Sequence, residues 1–343
     1  MSLVRGGRAA CGNLARMTRM TLLEYVRDED GVWSLPRPLL ERLASRFPEV
    51  RFESPERQAD ADRLLPEADA VLGWAVRPHN FASARRLGWI HLTAAGVGKA
   101  LFPELVESAV VVTNSRGLHA TSMAEHAIAM MLACARRLHV ARDAQREGHW
   151  VDREMWDRIG QLEGGSLGLV GLGHVGSAIA RRAKALGMTV RAVTRTPRAD
   201  PAPADAVWPV ERIGDLAAAS DWLVGIVPAT SATRGLVSRA VLARLPSHAV
   251  FVNLGRGALV DEPALIDALE RGAIAGAALD VLADEPLPAS SPLWRLPQVI
   301  VTPHVSGYGP RYWERAVEMF ADHLRARLDG RPLANVVDKR EGY

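Results

Sequence analysis

Three polar side chains stand just after apolar runs in the second half of the chain: Arg256 in NLGRG, Glu285 in LDVLADEP and His304 in VTPH. An imidazole can transfer a proton near neutral pH, and a carboxylate beside it favours its protonated form. A guanidinium group can hold a carboxylate or polarise a carbonyl. Because ligands of open α/β sheets bind beyond the carboxyl ends of the strands, we expect the three side chains to face one cleft.

Each of these residues also has an ordinary structural interpretation when it is taken alone. Arg256 suits a surface turn, Glu285 suits a helix cap, and His304 suits a loop. The three residues form a common site only if the chain folds so that the strand ends before them lie side by side. The strands and helices that would carry these residues therefore decide between the interpretations.

A glycine fingerprint lies upstream of the three side chains. Gly171, Gly173 and Gly176 form G-x-G-x-x-G between an apolar strand and a helical pattern. The first glycine permits the tight turn, the second lets backbone approach a pyrophosphate, and the third lets the helix pack closely. Plain turn glycines are the alternative, but the strand–helix context favours dinucleotide binding.

The strand that follows this fingerprint lacks the acid that usually accepts from the ribose 2′-hydroxyl of NAD. No carboxylate occurs between Glu163 and Asp200, and the strand ends at Thr194 and Arg195, with Arg198 nearby. A carboxylate would repel a 2′-phosphate, whereas a guanidinium can bind one. The sequence therefore predicts NADP(H) as the preferred cofactor and leaves NAD(H) possible. A solvated arginine loop is the alternative.

Short apolar runs alternate with helical patterns along both halves of the chain, which favours parallel sheets covered by helices on both faces. A long helix predicted over about 122–138 separates two such series, and Asp261 and Pro263 mark the start of a helix at 261–272. The predicted strands are LLEYV (22–26), AVLGW (70–74), WIHLTAAG (89–96), VVVTN (110–114), LGLVGL (167–172), TVRAV (189–193), DWLVGIV (221–227), AVFVN (249–253), AALDV (277–281) and VIVT (299–302).

Composition narrows the class of protein. A chain of 343 residues can hold two domains, and 42 basic against 39 acidic residues give a net charge of only +3. The sequence contains no basic run with interleaved aromatics, which would be typical of a nucleic-acid-binding protein. It also contains no run of 18 apolar residues, which would predict a membrane span. Cys11 and Cys134 lie far apart, and we expect Cys134 to be a buried thiol in a reducing, cytoplasmic compartment. We expect no metal site.

Together, these motifs resemble the D-2-hydroxyacid dehydrogenase family from about residue 70 to the C-terminus. NLGRG, LDVLADEP and VTPH meet the family's Asn-x-x-Arg-Gly, LDV-x(4)-EP and TPH patterns. GLGHVG resembles its cofactor fingerprint, VPATSATRGLV (227–237) its loop after the fourth strand, and TSMAEHAIAMML (121–132) its interdomain helix.

The resemblance implies an α/β fold with two Rossmann-like doubly wound parallel-sheet domains and a cleft between them. We expect a flavodoxin-like substrate domain at 21–116 and 307–343 and an NAD(P)-binding domain at 117–306. Residues 1–20 are basic and lack an apolar segment, which favours a disordered leader, or a start at Met17 or Met20, over a transit peptide.

The resemblance also implies a catalytic site formed by Arg256, Glu285 and His304. Reduction of a 2-keto acid requires a hydride at the carbonyl carbon and a proton at its oxygen, and the nicotinamide supplies the hydride. His304 is then the proton donor, Glu285 orients it, and Arg256 holds the substrate carboxylate and polarises the carbonyl.

Further contacts follow from the same resemblance. We expect a glycine-rich loop whose amides hold the substrate carboxylate, although Lys99 stands where the family often has Asp. The substrate-binding residues are Ala95, Gly96, Val97, Arg256 and His304.

The cofactor contacts include Asp280, which matches the acid expected to accept from the nicotinamide carboxamide. A buried strand-end Asp satisfied by backbone amides is the alternative. We expect His174 to fill the phosphate turn and face solvent. The cofactor-binding residues are Gly171, Gly173, His174, Val175, Gly176, Thr194, Arg195, Thr196, Val227, Pro228, Thr233, Leu254, Asp280 and His304.

The leading hypothesis is NADPH-dependent reduction of a small 2-keto acid to the D-2-hydroxy acid. VTRT, SPLW…VTPH and VVDKREGY look most like the glyoxylate/hydroxypyruvate reductase branch, and the family implies a homodimer. A lactate-type or bulkier substrate is the runner-up, since pocket size decides between them. A nucleotide-sensing, corepressor-like protein is the alternative from another class, and it need not keep a proton relay.

Overall fold

The chain forms two compact units in the computed structural model, which describes residues 19–27, 33–98, 100–196 and 200–342. The first unit contains the described residues up to Thr93 together with Phe102–Thr113. The second contains Ala94–Leu101 and the described residues from Asn114 onward. The leader, Lys99 and Arg198 lie outside the described residues, as does Cys11.

The first unit is built on a five-stranded sheet with the order β2-β1-β3-β4-β5. Its pairs β1–β2, β1–β3 and β3–β4 are parallel. The elements in chain order are β1 (Met20–Tyr25), α1 (Arg37–Arg46), β2 (Val50–Glu53), α2 (Gln58–Leu64), β3 (Ala70–Gly73), β4 (Trp89–Leu92), α3 (Pro103–Glu107) and β5 (Val111–Asn114). The strand predicted over 89–96 ends at Leu92, so TAAG forms a loop.

The second unit contains a seven-stranded parallel sheet with the order β12-β11-β10-β9-β6-β7-β8. Its elements are α4 (Ala120–Ala135), α5 (Leu138–Glu147), α6 (Asp152–Met155), β6 (Ser166–Val170), α7 (His174–Ala185), β7 (Thr189–Thr194), β8 (Ala206–Pro209), α8 (Ile213–Ala218), β9 (Trp222–Gly225), α9 (Arg239–Leu242), β10 (Val250–Asn253), α10 (Glu262–Glu270), β11 (Gly276–Leu279), β12 (Val299–Val301) and α11 (Tyr312–Leu328). The order reverses between β6 and β9, which is where open α/β sheets bind ligands.

Alternating residues of these strands feed two apolar clusters, one on each face of the sheet. One cluster joins α4 and α7 to residues such as Leu169 and Val252. The other joins α8, α9 and α10 to residues such as Val170 and Phe251. A parallel sheet buried on both faces needs continuous apolar strands, and the sequence has them. The predicted fold class, two parallel-sheet α/β domains, is confirmed.

The predictions for two individual residues, Asp261 and Cys134, are also confirmed. The side chain of Asp261 accepts from the backbone N–H of Ala264 and caps α10, whose first turn contains Pro263. Cys134 is buried on α4 as a free thiol, and burial raises its pKa to about 12. Among the described residues, no helix is long and apolar enough to span a bilayer.

Candidate active site

The carboxyl ends of six strands of the second unit carry the predicted site residues. Gly171 follows β6, Arg195 follows β7, and Val227 lies two residues beyond β9. Leu254 follows β10 and Asp280 follows β11. Thr302, which precedes the VTPH histidine, follows β12. Because parallel strands end at one edge, these segments share that edge of the sheet.

The three fingerprint glycines differ in what a side chain at each position would meet. Gly171 has φ +106°, and a Cβ there would lie 2.8 Å from Cγ1 of Val227. A Cβ on Gly176 would lie 2.3 Å from the carbonyl oxygen of Gly171, so close helix packing requires this glycine. A Cβ on Gly173 would meet no described atom within 4 Å beyond its own stretch of chain. The space beside Gly173 is therefore open, and a pyrophosphate that approaches the backbone there would meet no side chain of this residue.

Helix α7 begins directly after Gly173 and has no side-chain cap. Its first amides are thus available to a phosphate group, and the helix dipole favours an anion at this end. Val175 is partly buried and packs against the core. His174 is exposed, as expected for a filler of the phosphate turn. The site fits a dinucleotide.

The loop after β9 lines a cavity of about 340 Å³ together with Arg256. The hydroxyl of Thr233 donates to the carbonyl oxygen of Pro228 at 2.6 Å, which closes the loop on itself. Pro228, Thr233 and Arg256 therefore border one space. Leu254 is 1% exposed, so its side chain is not accessible to a ligand.

Arg256 sits in a turn that Asn253 holds. The side-chain amide of Asn253 donates to the carbonyl oxygen of Arg256 at 3.0 Å, and its Oδ1 accepts from Gly255 N at 3.2 Å. Arg256 Nη1 donates to the carbonyl oxygen of Gly255 at 2.7 Å. The arginine itself is exposed. The buried Asn253 therefore fixes the backbone while the guanidinium faces outward.

The predicted substrate loop lies beside this guanidinium. A Cβ on Gly96 would come within 2.8 Å of Nη2 of Arg256, so only glycine fits there without a shift. Asn114 Nδ2 donates to the carbonyl oxygen of Ala95 at 2.7 Å and anchors the loop. Val97 is 1% exposed, so its side chain is not accessible to a substrate. Loop amides and a cation thus lie together, which suits a carboxylate.

His304 and Glu285 form a direct pair. Nδ1 of His304 lies 2.7 Å from Oε2 of Glu285, and the other carboxylate oxygen of Glu285 accepts from Leu282 N at 3.0 Å. The imidazole is about half exposed, at 47%. With Nδ1–H donating to the carboxylate, Nε2 is left to exchange a proton with a ligand.

The backbone of His304 is held in a sparsely populated conformation. Its φ is +54°, in the left-handed region that costs energy for a residue other than glycine. Its N–H lies 2.9 Å from the carbonyl oxygen of Asp280 and 3.0 Å from that of Thr302. Such strain persists when surrounding bonds fix the turn, and Asp280 supplies them.

The carboxylate of Asp280 binds the turn at 302–306 rather than pointing to open space. Its Oδ1 accepts from Thr302 Oγ1 at 2.6 Å and Val305 N at 2.9 Å, and its Oδ2 accepts from Ser306 N at 3.0 Å. Burial alone would raise the pKa of Asp280, but these hydrogen bonds outweigh it and lower the pKa. The side chain has no exposed surface, so the carboxamide contact would require this turn to move.

His126 on α4 extends this network. Its Nε2 lies 3.0 Å from Thr302 Oγ1 and 3.7 Å from Oδ1 of Asp280. Since the Thr302 hydroxyl hydrogen points to Asp280, the hydroxyl oxygen accepts from Nε2–H of His126. We did not predict this role, because a histidine within an apolar helical pattern has no distinguishing spacing. Asn253 was likewise part of a predicted motif without an assigned role.

A second histidine, His119, lies on the other side of the same loop. Its Nδ1–H donates to the carbonyl oxygen of Gly307 at 2.9 Å, and its ring stacks on Tyr312 with centroids 5.2 Å apart. Burial lowers the pKa of His119, and the guanidinium groups of Arg315 and Arg256 lower it further. A neutral His119 therefore packs as a structural support for the segment after His304.

The end of β7 carries the predicted ribose contacts. The hydroxyl of Thr194 donates to the carbonyl oxygen of Thr196 at 2.8 Å and shapes the turn. Nη1 of Arg195 lies 2.9 Å from Oε2 of Glu341. The arginine is 64% exposed and thus accessible to a ligand.

Among the described residues, no group of three or more His, Cys, Asp or Glu side chains forms a metal site.

The fold and these strand-end residues define a nicotinamide-dinucleotide-binding protein, and comparisons with known proteins specify its family. Residues 128–306 match the family model described as D-isomer specific 2-hydroxyacid dehydrogenase, NAD binding domain. A glyoxylate reductase of Korarchaeum cryptofilum is 33% identical over 83% of this chain and 85% of its own length. The chain belongs to the D-isomer-specific 2-hydroxyacid dehydrogenases, a family of NAD(P)-dependent oxidoreductases.

Two further relatives, one compared by sequence and one by structure, resemble the chain over most of its length. A D-3-phosphoglycerate dehydrogenase of Methanocaldococcus jannaschii is 33% identical over 82% of this chain, which spans only 53% of that longer protein. A D-isomer specific 2-hydroxyacid dehydrogenase of Xanthobacter autotrophicus, solved in complex with NADPH and MES, is 30% identical with a TM-score of 0.78. That alignment covers 95% of this chain and 100% of the other.

Proposed function

We propose that this protein reduces a small 2-keto acid of the glyoxylate or hydroxypyruvate type to the D-2-hydroxy acid with NADPH. The observation that carries the proposal is the His304–Glu285 pair at 2.7 Å, on the same sheet edge as the glycine fingerprint and Arg256. The named activity of the Korarchaeum relative and the NADPH of the Xanthobacter structure support it. A sensor of nucleotides has no need for this pair.

The side chains of the site divide the work of the reduction. Arg256 and the amides of the loop at Gly96 hold the substrate carboxylate, and the guanidinium polarises the carbonyl oxygen. Nε2–H of His304 gives its proton to that oxygen, while Glu285 holds Nδ1–H and stabilises the imidazolium form. A bound nicotinamide supplies the hydride to the carbonyl carbon.

The end of β7 selects the cofactor in this proposal. The guanidinium of Arg195 and the hydroxyl of Thr194 stand where a carboxylate would otherwise accept from the ribose. A charge-assisted hydrogen bond from Arg195 favours a 2′-phosphate, and NADH remains usable because its adenosine makes the other contacts. The cytoplasmic location expected from the sequence stays a prediction.

A panel of 2-keto acids tests the proposed substrate class. Glyoxylate, hydroxypyruvate, pyruvate, phenylpyruvate and a phosphorylated 2-keto acid are each assayed with NADPH and with NADH. We expect the highest kcat/KM for glyoxylate or hydroxypyruvate with NADPH. A higher value for pyruvate or phenylpyruvate would assign the lactate-type or bulkier alternative, and a higher value for the phosphorylated acid would assign the activity of the phosphoglycerate relatives. Tight NADPH binding without turnover on any acid would favour the sensor.

We further propose that Asp280 stabilises the turn at 302–306 that carries His304. Asp280→Asn replaces one acceptor oxygen by an NH₂ group that faces hydrogen-bond donors, which costs roughly 1–3 kcal/mol of folding stability. Because the folded carboxyl has a lowered pKa, its stabilisation is present above the unfolded pKa of about 3.9 and is lost as pH falls through the folded value. The free energy of unfolding, measured in urea, should therefore be lower for Asp280→Asn than for the unmodified protein at pH 7. This difference should shrink on strong acidification. Equal stabilities at pH 7 would contradict this role.

We also propose that the protein is a homodimer that uses the segment around α5 and α6. Leu138, Trp150, Trp156 and Ile159 leave large apolar side chains in solvent, and the two tryptophans are 88% and 87% exposed. Large exposed apolar side chains that lie close together are typical of a protein–protein interface. The family resemblance implies that a second copy of this chain covers them.

Trp156→Arg should shift the protein from dimer to monomer in sedimentation velocity. Burying a charge in place of a central tryptophan costs about 2 kcal/mol or more, or roughly 30-fold in dimer dissociation. Val336→Arg is the matched control, since Val336 is also an exposed apolar side chain, at 47%, on the segment that packs beside α11. Identical sedimentation of both variants would remove this segment from the interface.

A further inference from the structure

A carboxylate from the C-terminal segment contacts the strand end at which the glycine fingerprint lacks its usual acid. Oε2 of Glu341 lies 2.9 Å from Nη1 of Arg195, although 146 positions separate the two residues. Arg195 is the first residue after β7, where the ribose-binding carboxylate usually stands. The exposed fractions of the two side chains are 64% and 53%, so the pair is open to a ligand.

Local bonds fix the position of Glu341. Oδ1 of Asp338 accepts from the backbone N–H groups of Arg340 at 3.0 Å and Glu341 at 3.1 Å. The N–H of Gly342 donates to the carbonyl oxygen of Asp338 at 2.8 Å and closes the turn. Val337 anchors the segment in the core with 5% exposure. The carboxylate is therefore carried on a docked turn rather than on a loose end.

Arg195 consequently has two competing anionic partners when NADPH binds. A 2′-phosphate carries up to two negative charges and must displace or share the guanidinium with the Glu341 carboxylate, which also repels it. NADH has a 2′-hydroxyl instead. It leaves the ion pair intact, and the carboxylate can accept the hydroxyl hydrogen in the way a strand-end acid does.

We propose that Glu341 is a specificity-determining residue that weakens the preference for NADPH and supports binding of NADH. The inference rests on the proposed function, in which Arg195 binds the 2′-phosphate. Glu341 acts on the adenosine end of the cofactor and has no part in the chemical step. The protein thereby keeps both cofactors usable.

Binding of NADPH and NADH to the full-length protein tests this inference without turnover. Kd values are measured by nicotinamide fluorescence at low ionic strength, since salt screens exposed charges. For Glu341→Gln we expect NADPH to bind roughly 2- to 5-fold more tightly, the range of an exposed ion pair, and NADH to bind slightly more weakly. Glu125→Gln is the matched control, because it removes the acid of another exposed Glu–Arg pair, at 3.5 Å from Arg182.

The double variant Arg195→Ala/Glu341→Gln shows whether Glu341 acts through the arginine. We expect the gain in NADPH affinity to fall sharply once Arg195 is absent. If Glu341→Gln leaves the ratio of the two Kd values unchanged while Arg195→Ala alters it, this inference is overturned and the proposed role of Arg195 stands. If Arg195→Ala itself leaves the ratio unchanged, the phosphate role fails and the inference fails with it.

Discussion

His304→Ala is expected to lower kcat by roughly 10²–10⁴-fold, which is the usual contribution of a positioned general acid. The imidazole is the group that meets the substrate oxygen, and Glu285 holds its Nδ1 at 2.7 Å. Steady-state rates of NADPH oxidation at saturating substrate measure the loss. The Kd for NADPH should change far less than kcat, because the contacts to the adenosine and the phosphates remain when the one expected contact from His304 is lost.

Two controls separate proton transfer from folding. His304→Asn keeps a side chain that tolerates the left-handed backbone at φ +54° and should lose activity to the same extent. His248 forms an equally short pair with Asp221, 2.7 Å long, beside the amino end of β9. His248→Ala should retain nearly full turnover. Near-normal kcat in both His304 variants would place the proton donor elsewhere.

Arg195→Ala is expected to raise the KM for NADPH about 10- to 100-fold, since a charge-assisted hydrogen bond is worth roughly 1.5–3 kcal/mol. The KM for NADH should change far less, because NADH has no phosphate for the guanidinium to bind. Initial rates with both cofactors on one substrate give the two values.

Arg239→Ala is the matched control for this experiment. Arg239 is a similarly exposed arginine at 60%, and it pairs with Asp267 as Arg195 pairs with Glu341. Its replacement removes the same charge from the second unit and should leave both KM values near those of the unmodified protein. Equal increases for NADPH and NADH in Arg195→Ala would remove Arg195 from phosphate recognition.

The sequence predicts all the central strands and two of the four edge strands, β5 and β12. Every predicted strand corresponds to one in the structure, because the buried strands are continuous apolar runs. The strands β2 and β8 were not predicted, and both lie at sheet edges. VRFE carries two charges, and AVWP ends in proline, which is tolerated where a strand needs no further partner.

Residue types at the site were more predictable than their partners. Local patterns placed Glu285 and His304 on neighbouring strand ends, and the structure brings them into contact. Asp280 was predicted as a strand-end acid, but its three donors come from a turn more than twenty residues later. The contact between Arg195 and Glu341 joins distant segments with no shared pattern. Such pairings depend on the folded chain, not on local spacing.

The roles assigned to the cofactor and substrate residues and the domain boundaries at 117 and 306 stay predictions. The fold class is confirmed, and so are the cap at Asp261 and the buried thiol of Cys134. The supporting role of His126 was not predicted. Its side chain contacts Thr302 from α4, but nothing in an apolar helical pattern distinguishes such a histidine.

The chirality of the product is the sharpest check on the proposed reduction to a D-2-hydroxy acid. The purified protein is incubated with hydroxypyruvate and NADPH, and the glycerate formed is resolved by chiral chromatography while NADPH loss is followed by absorbance. We expect one D-glycerate for each NADPH consumed, and loss of both signals in His304→Ala. Formation of L-glycerate, or full turnover without His304, would rule out the proposed reaction.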